Sequence, residues 1–273
     1  MNSEPNFDRD HEVFSAKRTE DIVIVRFKDN PLLRAADLSA KDAVLNYLDL
    51  VSRTNSIKAA VLIDTPREAD PMEYIEFFQH VSAGNMDQIA VERIQNAVDQ
   101  LIARIIELNK IVVHLDIRRK IPLLLNVGLA CDYRIVSDAA VFHNLHLDLG
   151  LAPKGGAAFF LSKMVGVHKA REILLSVEDL TSWQALELGI VNEVVTPDTL
   201  EEAAMKRAQR LTQVPGTSLA GVKRLINYSM GELSDYLEFE NAELFRIIHS
   251  SEFQRKIRKY NLNKDVLSAE SRC

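Results

Sequence analysis

Lys110-Ile111-Val112-Val113-His114-Leu115 opens the part of this chain that decides its fold, and five further pieces follow it in order. They are Ala130-Cys131-Asp132-Tyr133-Arg134-Ile135, Ala140-Val141-Phe142, Leu149-Gly150-Leu151-Ala152-Pro153, Gly155-Gly156 and Ala185-Leu186-Glu187-Leu188-Gly189-Ile190-Val191-Asn192. The first two are short, β-branched and apolar, and predict strands over 111–117 and 132–136. Residues 122–131 between them form an apolar turn or helix. Gly150, Gly155 and Gly156 are turn glycines, Gly189 suits a helix C-cap and Asn192 a turn.

Upstream, 12–16 and 22–27 predict strands, and Asp37 with Ser39 can cap a helix running to Arg53. A strand at 58–63, a polar break at 64–68 and helices at 72–81 and 86–108 follow. Downstream, helices are expected at 157–164, 168–175, 182–188 and 200–211. Pro215-Gly216 then breaks the pattern, and 218–259 reads as helical. Strands alternating with helices imply an α/β class with mostly parallel pairing. The expected organisation is an α/β core over 1–213 and a helical C-terminal segment over 214–273. Leu225, Ile226, Leu237, Phe239, Leu244 and Ile247 would bury that segment against a partner subunit.

The chain has 273 residues, 47% hydrophobic and 26% charged, with net charge −6, which argues against a nucleic-acid or membrane-surface role. Two cysteines are too few for a disulfide framework or a zinc site. The polar, acidic N-terminus has neither signal-peptide nor transit-peptide character, and no apolar run approaches the roughly 20 residues of a membrane span. A cytoplasmic protein is expected, with no nucleic-acid and no membrane partner.

In order and spacing, the pieces between Lys110 and Val195 resemble the crotonase (enoyl-CoA hydratase/isomerase) superfamily. They match its "KPVIAAV" and "xCDxxI" strands, its "AxF…LGLxPxxGG" stretch and its "VGxxxA" and "AxxxGLVN" segments. The resemblance implies a crotonase-like (ClpP/crotonase) spiral of ββα units, with the helical tail serving oligomerisation as a trimer or hexamer. It also implies an acyl-CoA thioester as substrate rather than a resident cofactor, and two backbone amides that stabilise charge on the thioester oxygen. Those amides fall on Ala69 and Leu123. The family's two catalytic carboxylates fall on Asn126, which cannot exchange protons, and on His146, which can. CoA-contacting cations would be Arg34, Arg118, Arg255 and Lys259.

A branch that hydrolyses cyclic β-diketones is similar at His146, but its partner aspartate is replaced in Pro153-Lys154-Gly155-Gly156 unless Asp148 or Asp132 substitutes. Three readings therefore stand side by side. One is an atypical acyl-CoA enzyme with His146 as acid/base and Asn126 orienting substrate or water. Another cleaves the C–C bond of a β-dicarbonyl substrate, and the third is a silent paralogue that binds a ligand or a partner. Strand alternation would set His146 and Asp148 on one face and His143 on the other, so no metal site is expected there. His114, inside an apolar strand, is expected to be structural.

Overall fold

A computed structural model describes residues 5–28, 38–64, 88–123 and 126–257. The helix expected at 72–81 lies outside them. Seven strands make the main sheet: β1 (Arg9–Asp10), β2 (Phe14–Thr19), β3 (Ile22–Phe27), β4 (Ala59–Ile63), β5 (Ile111–Asp116), β7 (Tyr133–Ser137) and β10 (Glu193–Val195), neighbours in that order. The first three pair antiparallel and the rest parallel. A small second sheet holds β6 (Lys120–Pro122), β8 (Val141–His143) and β9 (Leu180–Thr181).

Central strands covered on both faces read as continuous apolar runs, and all five residues of β4 are buried. Side chains alternate across the sheet. Ala60, Leu62 and Val112 enter one core, with Tyr47, Leu48 and Val51 of α1 (Leu38–Arg53) and Ile102 and Ile105 of α2 (Gln88–Glu107). Ala59, Val61, Ile63, Val113 and Leu115 enter the other, beneath Leu200, Ala204 and Ala208. No helix among the described residues is long and apolar enough to cross a membrane.

The strand expected through His146 is corrected. Residues Leu145–Leu149 form a short helix, α3. Their Leu-His-Leu-Asp-Leu alternation imitates a strand. Gly150, however, takes the left-handed conformation (φ 72°) and its amide bonds back to the His146 and Leu147 carbonyls. The two helices expected at 157–175 form one run, α4 (Ala157–Leu174), bent at Gly166, whose φ is 79°. Then come α5 (Ser182–Glu187), α6 (Leu200–Thr212), α7 (Gly216–Tyr228), α8 (Leu233–Ile248) and a last helical stretch over 251–257.

The tail is tied to its own core by buried polar groups. On α7, Lys223 Nζ donates to the Ile105 and Lys110 carbonyls and to Asp132 Oδ2 at 2.8–3.1 Å. On α8, the buried Glu240 carboxylate accepts the Gly155 and Gly156 amides at 2.9 Å each, and Lys154 Nζ at 3.1 Å. Those amides begin α4, where an anion is favoured. Burial raises the Glu240 pKa even though Lys154 and the two amides pull it down. Lys154 also pairs with Asp99 of α2. The expectation that the tail's apolar residues lie between subunits is corrected for Leu237 and Leu244, which are buried within this chain. Leu225, Ile226 and Phe239 stay more than half exposed.

Glu240→Ala would leave Lys154 and two helix-start amides short of an acceptor. Removing one partner of such a buried pair costs about 3–5 kcal/mol, and chemical denaturation should show a loss of that order. A loss under about 0.5 kcal/mol, ordinary for surface changes, would mean that this contact does not hold the tail.

Candidate active site

The carboxyl ends of parallel strands are where open α/β folds bind ligands. Here the ends of β4 and β5 carry charge. With the two-residue period, Leu62 is followed on its face by Asp64, and Val112 by His114 and Asp116. His114 is 2% and Asp116 1% exposed. His114 Nε2 lies 3.1 Å from Asp64 Oδ2. Arg118 bonds both carboxylates: its Nη2 is 2.6 Å from Asp64 Oδ2 and from Asp116 Oδ2, and its Nε is 2.9 Å from Asp116 Oδ1. Burial works to raise the Asp64 pKa, but the Arg118 guanidinium and His114 hold it well below the usual carboxylate range. With Asp64 ionised, His114 Nε2 must carry the proton.

Asp64, His114 and Asp116 bring three ligand-type atoms within 4.8 Å of one another. Arg118 already supplies the positive charge that two buried carboxylates require. This cluster is what sequence reasoning missed. Its signal was polar residues at period two, at the end of an otherwise apolar strand.

Against His114 lies the short turn Val127–Ala130 that follows Asn126. A Cβ at Gly128 would sit 2.5 Å from His114 Nδ1 and 2.9 Å from Asn126 Oδ1, so only glycine lets the turn approach the ring. Asn126, 5% exposed, accepts the Gly128 amide at 3.0 Å through Oδ1. Among the described residues, neither His114 Nδ1 nor Asn126 Nδ2 makes a hydrogen bond.

His146, the other sequence candidate, is 1% exposed on α3 rather than on a partly exposed strand. Its Nε2–H donates to the Leu174 carbonyl at 3.1 Å, and its buried Nδ1 has no partner. Burial lowers its pKa, so the ring is neutral at pH 7. It lines a cavity of about 400 Å³ with Leu151, Pro153, Ala170 and Leu174. Neither carboxylate considered as its partner serves it. Asp148 bonds His143 Nε2 at 2.8 Å, with Asp179 on the other ring nitrogen at 2.6 Å, and Asp132 takes Lys223. The expected separation of His143 from Asp148 is corrected accordingly.

The expected donor amide of Leu123 is already engaged, donating to the His143 carbonyl at 3.0 Å. Arg118, expected as a CoA-contacting cation, bonds Asp64 and Asp116 in the cluster. Arg255 is exposed on the 251–257 stretch. Ala69, Arg34 and Lys259 lie outside the described residues.

Comparison with known proteins matches residues 82–265 to a family model described as enoyl-CoA hydratase/isomerase. Similar proteins include a trans-2-decenoyl-[acyl-carrier-protein] isomerase of Streptococcus mutans, 29% identical over 138 residues, 50% of this chain and 52% of that protein. A short-chain-enoyl-CoA hydratase of Clostridium acetobutylicum is 30% identical over 130 residues, 47% of this chain and 49% of that one. The chain thus spans about half the length of the curated relatives it matches. An enoyl-CoA hydratase structure from Bacillus halodurans superposes with TM-score 0.75 at 20% identity, covering 91% of this chain and 100% of that one. That likeness carries the fold: the expected α/β core with its helical C-terminal segment.

Gly128→Ala should destabilise the protein by about 1–3 kcal/mol, the usual range for overpacking. Contact with His114 is the stated cause, so the loss should shrink when His114→Ala is present. A double-mutant cycle in urea should give a coupling of about 0.5–3 kcal/mol. Strict additivity would show that the two residues do not meet.

Proposed function

This chain belongs to the enoyl-CoA hydratase/isomerase family, and we propose that it acts on an acyl thioester, with a histidine moving the proton where relatives are expected to use a carboxylate pair. The observation that carries this reading is the buried Asp64–His114–Asp116–Arg118 cluster at the carboxyl ends of β4 and β5, packed against the turn that bears Asn126. The thioester is a coenzyme A or carrier-linked acyl group. Charge developing on its oxygen as an enolate forms would be met by fixed donors, the Asn126 amide group among them. Two histidines are eligible as proton carriers: His146 at the aligned slot, and His114. The β-diketone reading has less support, because no carboxylate bonds His146.

A silent, partner- or ligand-binding role is the second reading. One observation favours it: the Leu123 amide is already spent on the His143 carbonyl.

Coenzyme A separates the two. A ligand that binds only the folded state raises the melting temperature by mass action, and contacts from exposed cations weaken with salt. Millimolar CoA should raise Tm, less so at high salt, and the absence of any shift would favour the silent reading. Crotonyl-CoA hydration should run near background, since general acid and base groups typically contribute about 10²–10⁴-fold each. Hydration at a rate ordinary for the family would show that Asn126 and His146 do not occupy the carboxylate slots.

We also propose a homo-oligomer, a trimer or hexamer, with α7 facing a second copy. Val222, Leu225, Ile226 and Tyr228 are 57–90% exposed along that helix. Light scattering should give three or six copies, and a stable monomer would contradict this.

A further inference from the structure

We infer that the cavity lined by His146 is a binding site for a small apolar monocarboxylate, with the ligand's chain in the cavity and its carboxylate on Arg171. The volume, about 400 Å³, lies within the range of about 300–1,000 Å³ that small-molecule sites occupy. Such sites are mostly apolar, with a few polar groups that fix orientation. Leu151 and Leu174 are buried residues of this wall, and His146, Ser162 and Arg171 supply its polar part. No lining residue belongs to the Asp64–His114–Asp116–Arg118 cluster, so the inference stands apart from the thioester reading.

The bend in α4 lets one helix furnish much of the cavity. Ala158 and Ser162 line it from before Gly166, and Ala170, Arg171 and Leu174 from after. At 3.6 residues per turn, a straight helix would set Leu174 roughly 160° round from Ala158. Gly166, with φ 79°, takes a left-handed conformation that glycine adopts without steric cost, and the bend there brings both stretches to the same space.

The polar groups decide the kind of ligand. Arg171 is exposed, and its guanidinium makes no hydrogen bond or ion pair with any described residue. The adjacent acid, Glu172, is taken by Lys169 at 2.8 Å. The Ser162 hydroxyl likewise has no partner among the described residues. His146 adds no charge, since its ring is neutral and its Nε2–H is bonded to the Leu174 carbonyl. One uncommitted cation beside an otherwise uncharged apolar cavity suits a ligand with one negative charge and an apolar body. A guanidinium holds a carboxylate through two parallel hydrogen bonds. Val167 and Leu175 also line the cavity and are more than half exposed, so an alkyl chain there would take apolar surface out of water.

Titration calorimetry of the full chain at neutral pH, with octanoate, octanol and octylamine as probes, tests this. Octanoate should bind saturably at millimolar concentration, one per chain, and more weakly as salt rises. Octanol should bind about 3- to 10-fold more weakly, a modest factor because an exposed charge pair is partly screened, and octylamine more weakly still. Arg171→Gln should bring octanoate down to the level of octanol, and as an exposed substitution it should leave the fold intact. Ala158→Phe should fill the cavity and abolish saturable binding, with a cooperative melt as the check on folding; should that variant not fold, Arg171→Gln still decides. CoA should leave the octanoate affinity unchanged. No saturable octanoate binding would overturn the inference. So would equal binding of octanoate and octanol with no effect of Arg171→Gln, or undiminished binding by a folded Ala158→Phe protein. Displacement of octanoate by CoA would overturn it too, and would put the carboxylate in the thioester site.

Discussion

Two carboxylates, an imidazole and a guanidinium are taken out of water together at the ends of β4 and β5, and the described site is organised around that burial. An isolated buried carboxylate is not tolerated as a charge. Arg118 touches both Asp64 and Asp116, so one cation serves two anions and His114 completes the set. The parallel register makes this possible. Leu62 stands opposite His114, so Asp64, two residues further along β4, and Asp116, two further along β5, rise on the same face. Loss of Arg118 would take the shared cation from both carboxylates, leaving Asp64 only its contact with His114, whereas loss of His114 would leave the Arg118 pairs in place.

A second buried polar contact fixes the other boundary of the molecule. Glu240 reaches from the C-terminal tail to the amides that begin α4, next to the Pro153 that lines the His146 cavity. Lys154, in the turn, joins Asp99 of α2 to the same carboxylate. The tail is thereby part of the core's own packing. The apolar side chains it still exposes on α7 are a separate matter, since Val222, Leu225, Ile226 and Tyr228 take no part in the Lys223 contacts.

The fold was legible because its determinants are local and repeated: apolar β-branched strands, helical periodicity, and glycines at turns that need a left-handed backbone. The site was legible only in part. Asn126 was placed from motif spacing alone, and the structure seats it beside a buried histidine. His146 was misplaced because alternation over five residues does not distinguish a strand from a short helix when the deciding element, the left-handed cap at Gly150, lies just beyond them. His114 was read as structural, and its burial agrees with that, but one histidine in an apolar strand carries no sign of its partners. Asp64 is fifty positions earlier, and only strand pairing brings it within 3.1 Å. The partners of Leu123 and Arg118 were illegible for the same reason: the His143 carbonyl and the two carboxylates that they bond are brought to them by tertiary contacts.

The central claim is geometric: a thioester should meet this protein at the carboxyl ends of β4 and β5, beside the Asp64–His114–Asp116–Arg118 cluster and the turn that follows Asn126. A crystal structure with a non-reactive acyl-CoA analogue tests it most directly. The thioester carbonyl should lie against the Asn126 turn, with the Asp64 bond to His114 Nε2 kept. A thioester bound elsewhere, such as in the cavity lined by His146, would contradict it.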